Sequence, residues 1–172
     1  MEIDFKDISY LQRGNARQRS AYDVITKYQI LEKLKGYRPL VVGTIPINID
    51  IERSDLDIIL QTENFESLEK LLIRLFATHT KFAIRHTDKN LVCNFEIENL
   101  PLEIYASTTE TEKQTGYLHM VKEHQIIKSK DEKFIEKIRD LKRRGRKTEP
   151  AFCELLGISG NPYVEIFNYK II

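Results

Sequence analysis

Cys93 and Cys153 are the only cysteines in the 172 residues, too few for a disulfide framework and without metal-ligand spacing. Both lie in apolar surroundings, "LVCNF" and "AFCELL", and read as small core residues. An excess of one charge is also missing. The chain has 27 Lys and Arg against 26 Asp and Glu, a formal charge of +1, so it has no general pull on nucleic acid and only local patches could serve that purpose. No apolar run is long enough to span a bilayer. The stretch "MEIDFKDISYLQRGN" has no basic segment followed by an apolar one, so no signal peptide is expected and a cytoplasmic location is. There is no Gly-x-x-x-x-Gly-Lys loop, no Gly-x-Ser-x-Gly elbow and no dinucleotide fingerprint, and Ser20, Ser54 and Ser67 have no recognisable base. His79, His86 and His124 lack partners at ligand spacing, so zinc is not expected.

What is present suits a soluble chain: 41% hydrophobic and 31% charged residues, enough length for a core, and one domain or a domain plus a helical extension. Tyr22, Ile25, Tyr28, Ile30, Leu31 and Leu34 recur at helical spacing, predicting an amphipathic helix from Asn15 that stops near Gly36. "RPLVVG" predicts a short strand ending at Gly43, and "SDLDIIL" a second one. Asn64 to Phe76 reads as a helix with Asn64 as N-cap. "KFAIRHT" and "LVCNFEI", around Asp88-Lys89-Asn90, predict an antiparallel hairpin. "LPLEIYAS", Leu100 to Ser107, predicts a further strand with Leu102 and Ile104 on one face and Glu103 and Tyr105 on the other. Helices are expected over Tyr117 to Lys128 and Asp131 to Arg144, with a break near Ser129. A further one is expected over Thr148 to Leu156, with Thr148 as N-cap, Pro150 in its first turn and Gly157 beyond it. Asn161-Pro162 opens a short terminal helix or coil. The order gives an α+β class: a mixed β-sheet flanked by helices over residues 1–110, then a helical C-terminal extension over 111–172 packed on that core.

The stretch "GTIPINIDIERSDLDIIL" carries the most information. Asp55 and Asp57 stand one residue apart between Leu56 and Ile58, so on a strand both carboxylates point to one face. Paired carboxylates repel unless something positive sits between them, and oxygen-only ligands suit magnesium or manganese. The alternative is that both acids sit on the solvent face of an edge strand, with Glu103 an unrelated surface carboxylate.

Gly43-Thr44, a spacer, and Asp55-Leu56-Asp57-Ile58, with Glu103 on a later strand, resemble the signature of the nucleotidyltransferase superfamily, the polymerase-beta-like fold. More of the chain, including "GYLHM" and "KTEPAF", resembles a family of small bacterial proteins of uncharacterised function within it. The resemblance implies that Asp55, Asp57 and Glu103 hold Mg2+ (or Mn2+), with Glu103 nearest the attacking hydroxyl. It implies that Gly43 and Thr44 bind the phosphates of a nucleoside triphosphate. Thr44 departs from the usual Gly or Ser by adding a methyl group. The spacer is unusually apolar: Ile45, Ile47, Ile49 and Ile51 alternate with Pro46, Asn48, Asp50 and Glu52, which predicts an extra extended segment covering the site. Asp50 is a reserve ligand, and Glu52 and Arg53 predict a surface turn there.

Further along, His119, Lys122 and Glu123 lie within about one helical turn and are candidate nucleotide contacts, Lys122 to phosphate. The alternative is an ordinary exposed helix face, with His119 hydrogen-bonded in the core. Gln114 is a candidate cap or ligand contact. Lys142, Arg143, Arg144, Arg146 and Lys147, with Lys137 and Arg139, form a basic cluster. The expected role is a solvated helix end, and the alternative is binding of a triphosphate or an RNA backbone. The expected activity is metal-dependent transfer of a nucleoside monophosphate from a triphosphate to a hydroxyl on a small molecule, protein or RNA. The competing expectations are an inactive binding module on the same fold, and a toxin-neutralising protein nucleotidyltransferase. No membrane partner is expected.

Overall fold

Alternation of apolar and polar side chains along the strands decides how the sheet is buried. The computed structural model describes residues 3–171. Its five strands are β1 (Leu40–Val42), β2 (Leu56–Gln61), β3 (Thr80–His86), β4 (Asn90–Ile97) and β5 (Leu100–Ser107), in the spatial order β1-β2-β5-β4-β3. β2 and β5 run parallel; the other neighbours are antiparallel. One face, with Val41, Leu56, Ile58, Leu60, Leu102, Ile104 and Ala106, packs on helices α1 (Ala16–Lys27) and α3 (Phe65–Phe76). Burial of each such Leu or Ile contributes about 1.5–3 kcal/mol. The other face, with Val42, Ile59 and Tyr105, meets a second core built with α4 (Thr115–Lys128), α5 (Glu132–Arg143) and α6 (Thr148–Leu156). This is the expected α+β class, a mixed sheet flanked by helices.

Local signals account for many boundaries. The Asn64 side chain accepts from Ser67 N at 2.9 Å and starts α3, and Gly157, at φ 68°, closes α6 in the left-handed conformation. Asn161 caps α7 (Pro162–Asn168).

Four expectations need correction. The helix predicted to run to Gly36 ends at Lys27: Gln29 turns left-handed at φ 53°, and α2 (Ile30–Lys33) and a 3-10 turn (Lys35–Tyr37) follow, ended by left-handed Arg38 rather than by Gly36. The N-cap of α6 is Lys147, without a side-chain bond, and Thr148 is the first helical residue. β2 begins at Leu56, so Asp55 precedes the strand instead of lying on it. The apolar spacer is a run of turns and not an extended segment. Ile49 N donates to Thr44 O at 3.1 Å and Asn48 N to Ile45 O at 3.1 Å, with Asn48 at φ 60°. Ile45, Ile47, Ile49 and Ile51 are all buried, so their burial requires no strand.

Candidate active site

A row of residues crosses the sheet in register: Val42 on β1, Asp57 on β2, Glu103 on β5 and Asn94 on β4. Two carboxylates are thereby set side by side on the parallel pair. Glu103 Oε2 accepts from Asn94 Nδ2 at 3.1 Å. Directly after β1, Gly43 takes φ +82°, and a Cβ there would fall 2.0 Å from Asp57 Oδ2. Only glycine lets the backbone pass over that carboxylate.

The turns of residues 44–55 lead from Gly43 to Asp55 and are tied from two sides. From α1, Gln18 Nε2 donates to Ile45 O at 2.9 Å and Pro46 O at 3.1 Å, and an Arg17 guanidinium nitrogen donates to Ser54 O at 2.6 Å. From α5, Lys142 Nζ donates to Ile49 O at 2.7 Å and Arg139 to Asn48 O at 2.7 Å. Arg53 in turn donates to the carbonyls of Lys142 and Arg143. Part of the basic cluster is therefore a brace for this loop and not the expected solvated helix end, although Lys137 and Arg144 are exposed. Arg17 and Gln18 carried no functional signal in the sequence beyond the capping box that Asn15 and Gln18 form.

Two cavities meet at Asp57 and Thr44. The larger, about 630 Å³, is lined among others by Gly43, Glu103, Tyr105, Gln114, Glu123 and Glu149. The smaller, about 460 Å³, is lined by Asp55 together with Arg53, Lys142, Arg146 and Lys147. Asp57 lines both, Glu103 only the larger and Asp55 only the smaller. The Thr44 hydroxyl lies 3.4 Å from Ser54 Oγ, which accepts from Ile51 N at 2.9 Å.

The electrostatics follow from this crowding. Burial, then Glu103 and Asp55, push the Asp57 carboxyl up to about 7, with Lys142 and Lys147 opposing. Burial and Glu103 also raise Asp55, while Arg17 and Lys147 draw it back. Lys142 is lowered to about 8 by burial, against the pull of Glu123, Asp50 and Asp57.

Across the larger cavity, α4 and α6 bring a second group of polar side chains. His119 Nδ1 lies 3.0 Å from Glu149 Oε1 and its Nε2 2.9 Å from Tyr163 O, so both ring nitrogens face acceptors. Burial disfavours the imidazolium, but the bonds to Glu149 and Tyr163 outweigh it and raise the His119 pKa. Glu149 answers in kind: burial opposes its charge, and the His119 bond prevails to lower its pKa. Glu123 is buried and is pushed up to about 8 by burial and by Glu149. Gln114, at the N-cap position of α4, makes no cap bond and instead donates to Leu60 O at 2.8 Å and Thr109 O at 2.9 Å.

Of the further candidates, His119 lines the larger cavity. Lys122 does not line it; its Nζ donates to Tyr169 O at 2.7 Å, so it holds the segment after α7 and is not placed to meet phosphate. Asp50 lines neither cavity and acts electrostatically on Lys142. Glu149 was missed from sequence, where it is one acid among many ahead of Pro150.

The family model described as a domain of unknown function, DUF4269, matches residues 23–169. The chain belongs to that family. No curated protein matches this DUF4269 chain. Among solved structures, it is similar to a chain of the polymerase core of TRAMP, an RNA surveillance complex, with a TM-score of 0.51 and 12% identity over 92% of this chain and 50% of that one. At that identity the likeness shows fold, and the DUF4269 chain spans half the length of its counterpart. Among the described residues, no helix is long and apolar enough to cross a membrane.

The DUF4269 site carries residue types that a divalent cation uses. Its donors are all carboxylate oxygens, the set a hard cation prefers. Asp57 is lifted first by burial and then by repulsion from Glu103 and Asp55, and a cation would relieve the second of these. Yet among the described residues no three His, Cys, Asp or Glu side chains are grouped so as to hold a metal ion. The acids are adjacent without forming a ligand cage: Glu103 is turned to Asn94, and Asp55 opens to the smaller cavity. The donor chemistry fits, and among the described residues the donors are not assembled into a three-residue group.

Proposed function

We propose that this DUF4269 chain is a metal-dependent nucleotidyltransferase that moves a nucleoside monophosphate from a triphosphate to a hydroxyl acceptor. The observation that carries the reading is the side-by-side register of Asp57 and Glu103 beneath a glycine with no room for a side chain. The fold likeness to a polymerase core supports it. Asp55, Asp57 and Glu103 are the residues that would hold Mg2+ or Mn2+. When bound, the ion would supply charge neutralisation at the phosphates and a lower pKa for the attacking hydroxyl.

The chain's own residues supply the rest. The acceptor oxygen attacks the α-phosphorus, the new P–O bond forms, and the bond to the β-phosphate bridging oxygen breaks to release pyrophosphate. Glu103, on the larger cavity, is the group to take the hydroxyl proton. Gly43 leaves the backbone open to phosphate, and the Thr44 hydroxyl is the adjacent donor. Arg146 and Lys147, exposed at the smaller cavity, are the cations that match the triphosphate's charge. Such chemistry rests on positioning and charge stabilisation more than on covalent work by the protein.

A second reading, a binding module without transfer chemistry, is favoured by the absence of an assembled three-acid group among the described residues. Incubation with α-labelled triphosphates and a panel of hydroxyl acceptors separates the two. Label transfer lost in Glu103→Gln supports the enzyme; no transfer to any acceptor, with triphosphate still bound, supports the module.

A further inference from the structure

His119 is a junction between three helices, and the proposed nucleotide chemistry does not use it. From α4 it reaches Glu149 on α6 and Tyr163 on α7: Nδ1 lies 3.0 Å from Glu149 Oε1, and Nε2 lies 2.9 Å from Tyr163 O. The Phe167 ring of α7 stacks on the imidazole, with 4.7 Å between centroids and 19° between planes. A carbonyl can only accept a hydrogen bond, and so can the Glu149 carboxylate, whose pKa the His119 bond lowers. A neutral imidazole has one N–H and one lone pair, so it satisfies either partner but not both. Only the imidazolium joins α6 to α7 through one ring.

α7 depends on such joins. Its seven residues are too few for a helix that stands by itself. Much of its apolar surface faces water, with Tyr163 45%, Val164 52% and Phe167 40% exposed. It is held by the buried Ile166 and, near its start, by His119. Just past its end, Lys122 donates to Tyr169 O at 2.7 Å and Lys130 to the Tyr169 hydroxyl at 2.9 Å. Cys153 Sγ adds a weak contact to Pro162 O at 3.8 Å.

We propose that His119 is a proton-operated latch, which holds the start of α7 against the wall of the larger cavity and lets go when it loses its proton. On deprotonation the remaining N–H stays with the charged Glu149, and the bare Nε2 then meets Tyr163 O lone pair to lone pair. His119 and Glu149 both line the larger cavity, so release loosens the backing of that wall. The charged groups around the ring are few. Glu149 comes from α6, with Lys147 acting on it; Glu123 lies one turn along α4, with Lys142 of α5 acting on it; α7 brings Glu165, which acts on Cys153. The His119 pKa is raised, so the latch is complete below the ordinary value of about 6.5 and is lost as pH climbs through the folded value. Glu123 gains its charge only near pH 8 and then favours the imidazolium, which delays release.

NMR on the full chain, titrated from about pH 6 to about pH 9.5, tests the latch, with the His119 ring nitrogen resonances giving its midpoint. The Tyr163 carbonyl 13C resonance is expected to move with that same midpoint. Amide protection of α7, taken relative to α3, is expected to fall at least about tenfold across it, and His119→Gln to abolish that fall. Relative protection that stays level across the midpoint overturns the proposal, as does a fall that persists in His119→Gln or a His119 that keeps its proton throughout. Should the variant fail to fold, the parent decides: the Tyr163 carbonyl shares the His119 midpoint, or the proposal fails. The latch is read without nucleotide or metal, so it stands or falls apart from the nucleotidyltransferase reading.

Discussion

Gly43 and Asp57 are fitted together so closely that one methyl group on the glycine would lie 2.0 Å from the aspartate's Oδ2. Two separate penalties therefore fall on any replacement: the positive φ at Gly43 and displacement of the carboxylate. Gly43→Ala is expected to lower unfolding free energy by about 1–3 kcal/mol in urea titration. It should also move the Asp57 carboxyl resonance. An unchanged resonance would mean that Asp57 does not depend on the bare backbone.

Asp57 should destabilise the fold when it ionises. Its folded pKa, near 7, lies above the ordinary carboxylate value, so the native state holds the proton more tightly than the unfolded chain. Stability from this group is therefore full at low pH and falls as pH rises from about 4 through 7. Asp57→Asn removes that fall and should be more stable than the parent at pH 8, on the order of 2 kcal/mol, a figure discounted because the side chain is partly exposed to solvent. The check is urea unfolding of both proteins at pH 5 and pH 8, with the difference growing at the higher pH.

The loop brace makes a different prediction. Lys142→Met removes the donor to Ile49 O and leaves that carbonyl without its 2.7 Å partner. A loss of about 1–3 kcal/mol is expected from the unsatisfied group, partly offset by relief from burying a cation. Limited proteolysis should then cut within residues 44–55 faster than in the parent. Equal protection would show that Gln18 and Arg17 hold the loop without help from α5.

His119 and Glu149 offer a pH-dependent pair on the cavity wall. Because the folded His119 pKa is raised, its contribution to stability is complete below the unfolded value of about 6.5 and disappears as pH climbs through the folded value. Glu149→Gln should lower the His119 titration midpoint, read from the ring proton resonances. A midpoint that stays put would assign the shift to the Tyr163 carbonyl alone.

Much of this was legible in the sequence wherever the signal is local. Asn64 capping α3, the β3–β4 hairpin, the alternation on β5 that sets Glu103 opposite Leu102 and Ile104, and Gly157 closing α6 all follow from neighbouring residues. The spacer misled because alternating Ile and polar residues is a strand pattern. What folds it into turns is hydrogen bonding from Gln18, Arg139 and Lys142, residues about 27 to 93 positions away in the chain. Of the candidate site, the closeness of Gly43, Asp57 and Glu103 was readable from the sequence. The placement of Asp55 before the strand, the diversion of Lys122 to Tyr169 and the burial of Glu123 and Gln114 depend on tertiary packing that no short motif encodes.

In the proposed function, Asp57 and Glu103 act on a nucleotide bound with a divalent cation. The most direct test is calorimetric titration of a non-hydrolysable nucleoside triphosphate with and without magnesium, on the parent and on Asp57→Asn shown by circular dichroism to be folded. Binding that requires magnesium and weakens at least about tenfold in the variant is the predicted result. Affinity that ignores magnesium, or is the same in Asp57→Asn, would contradict the account.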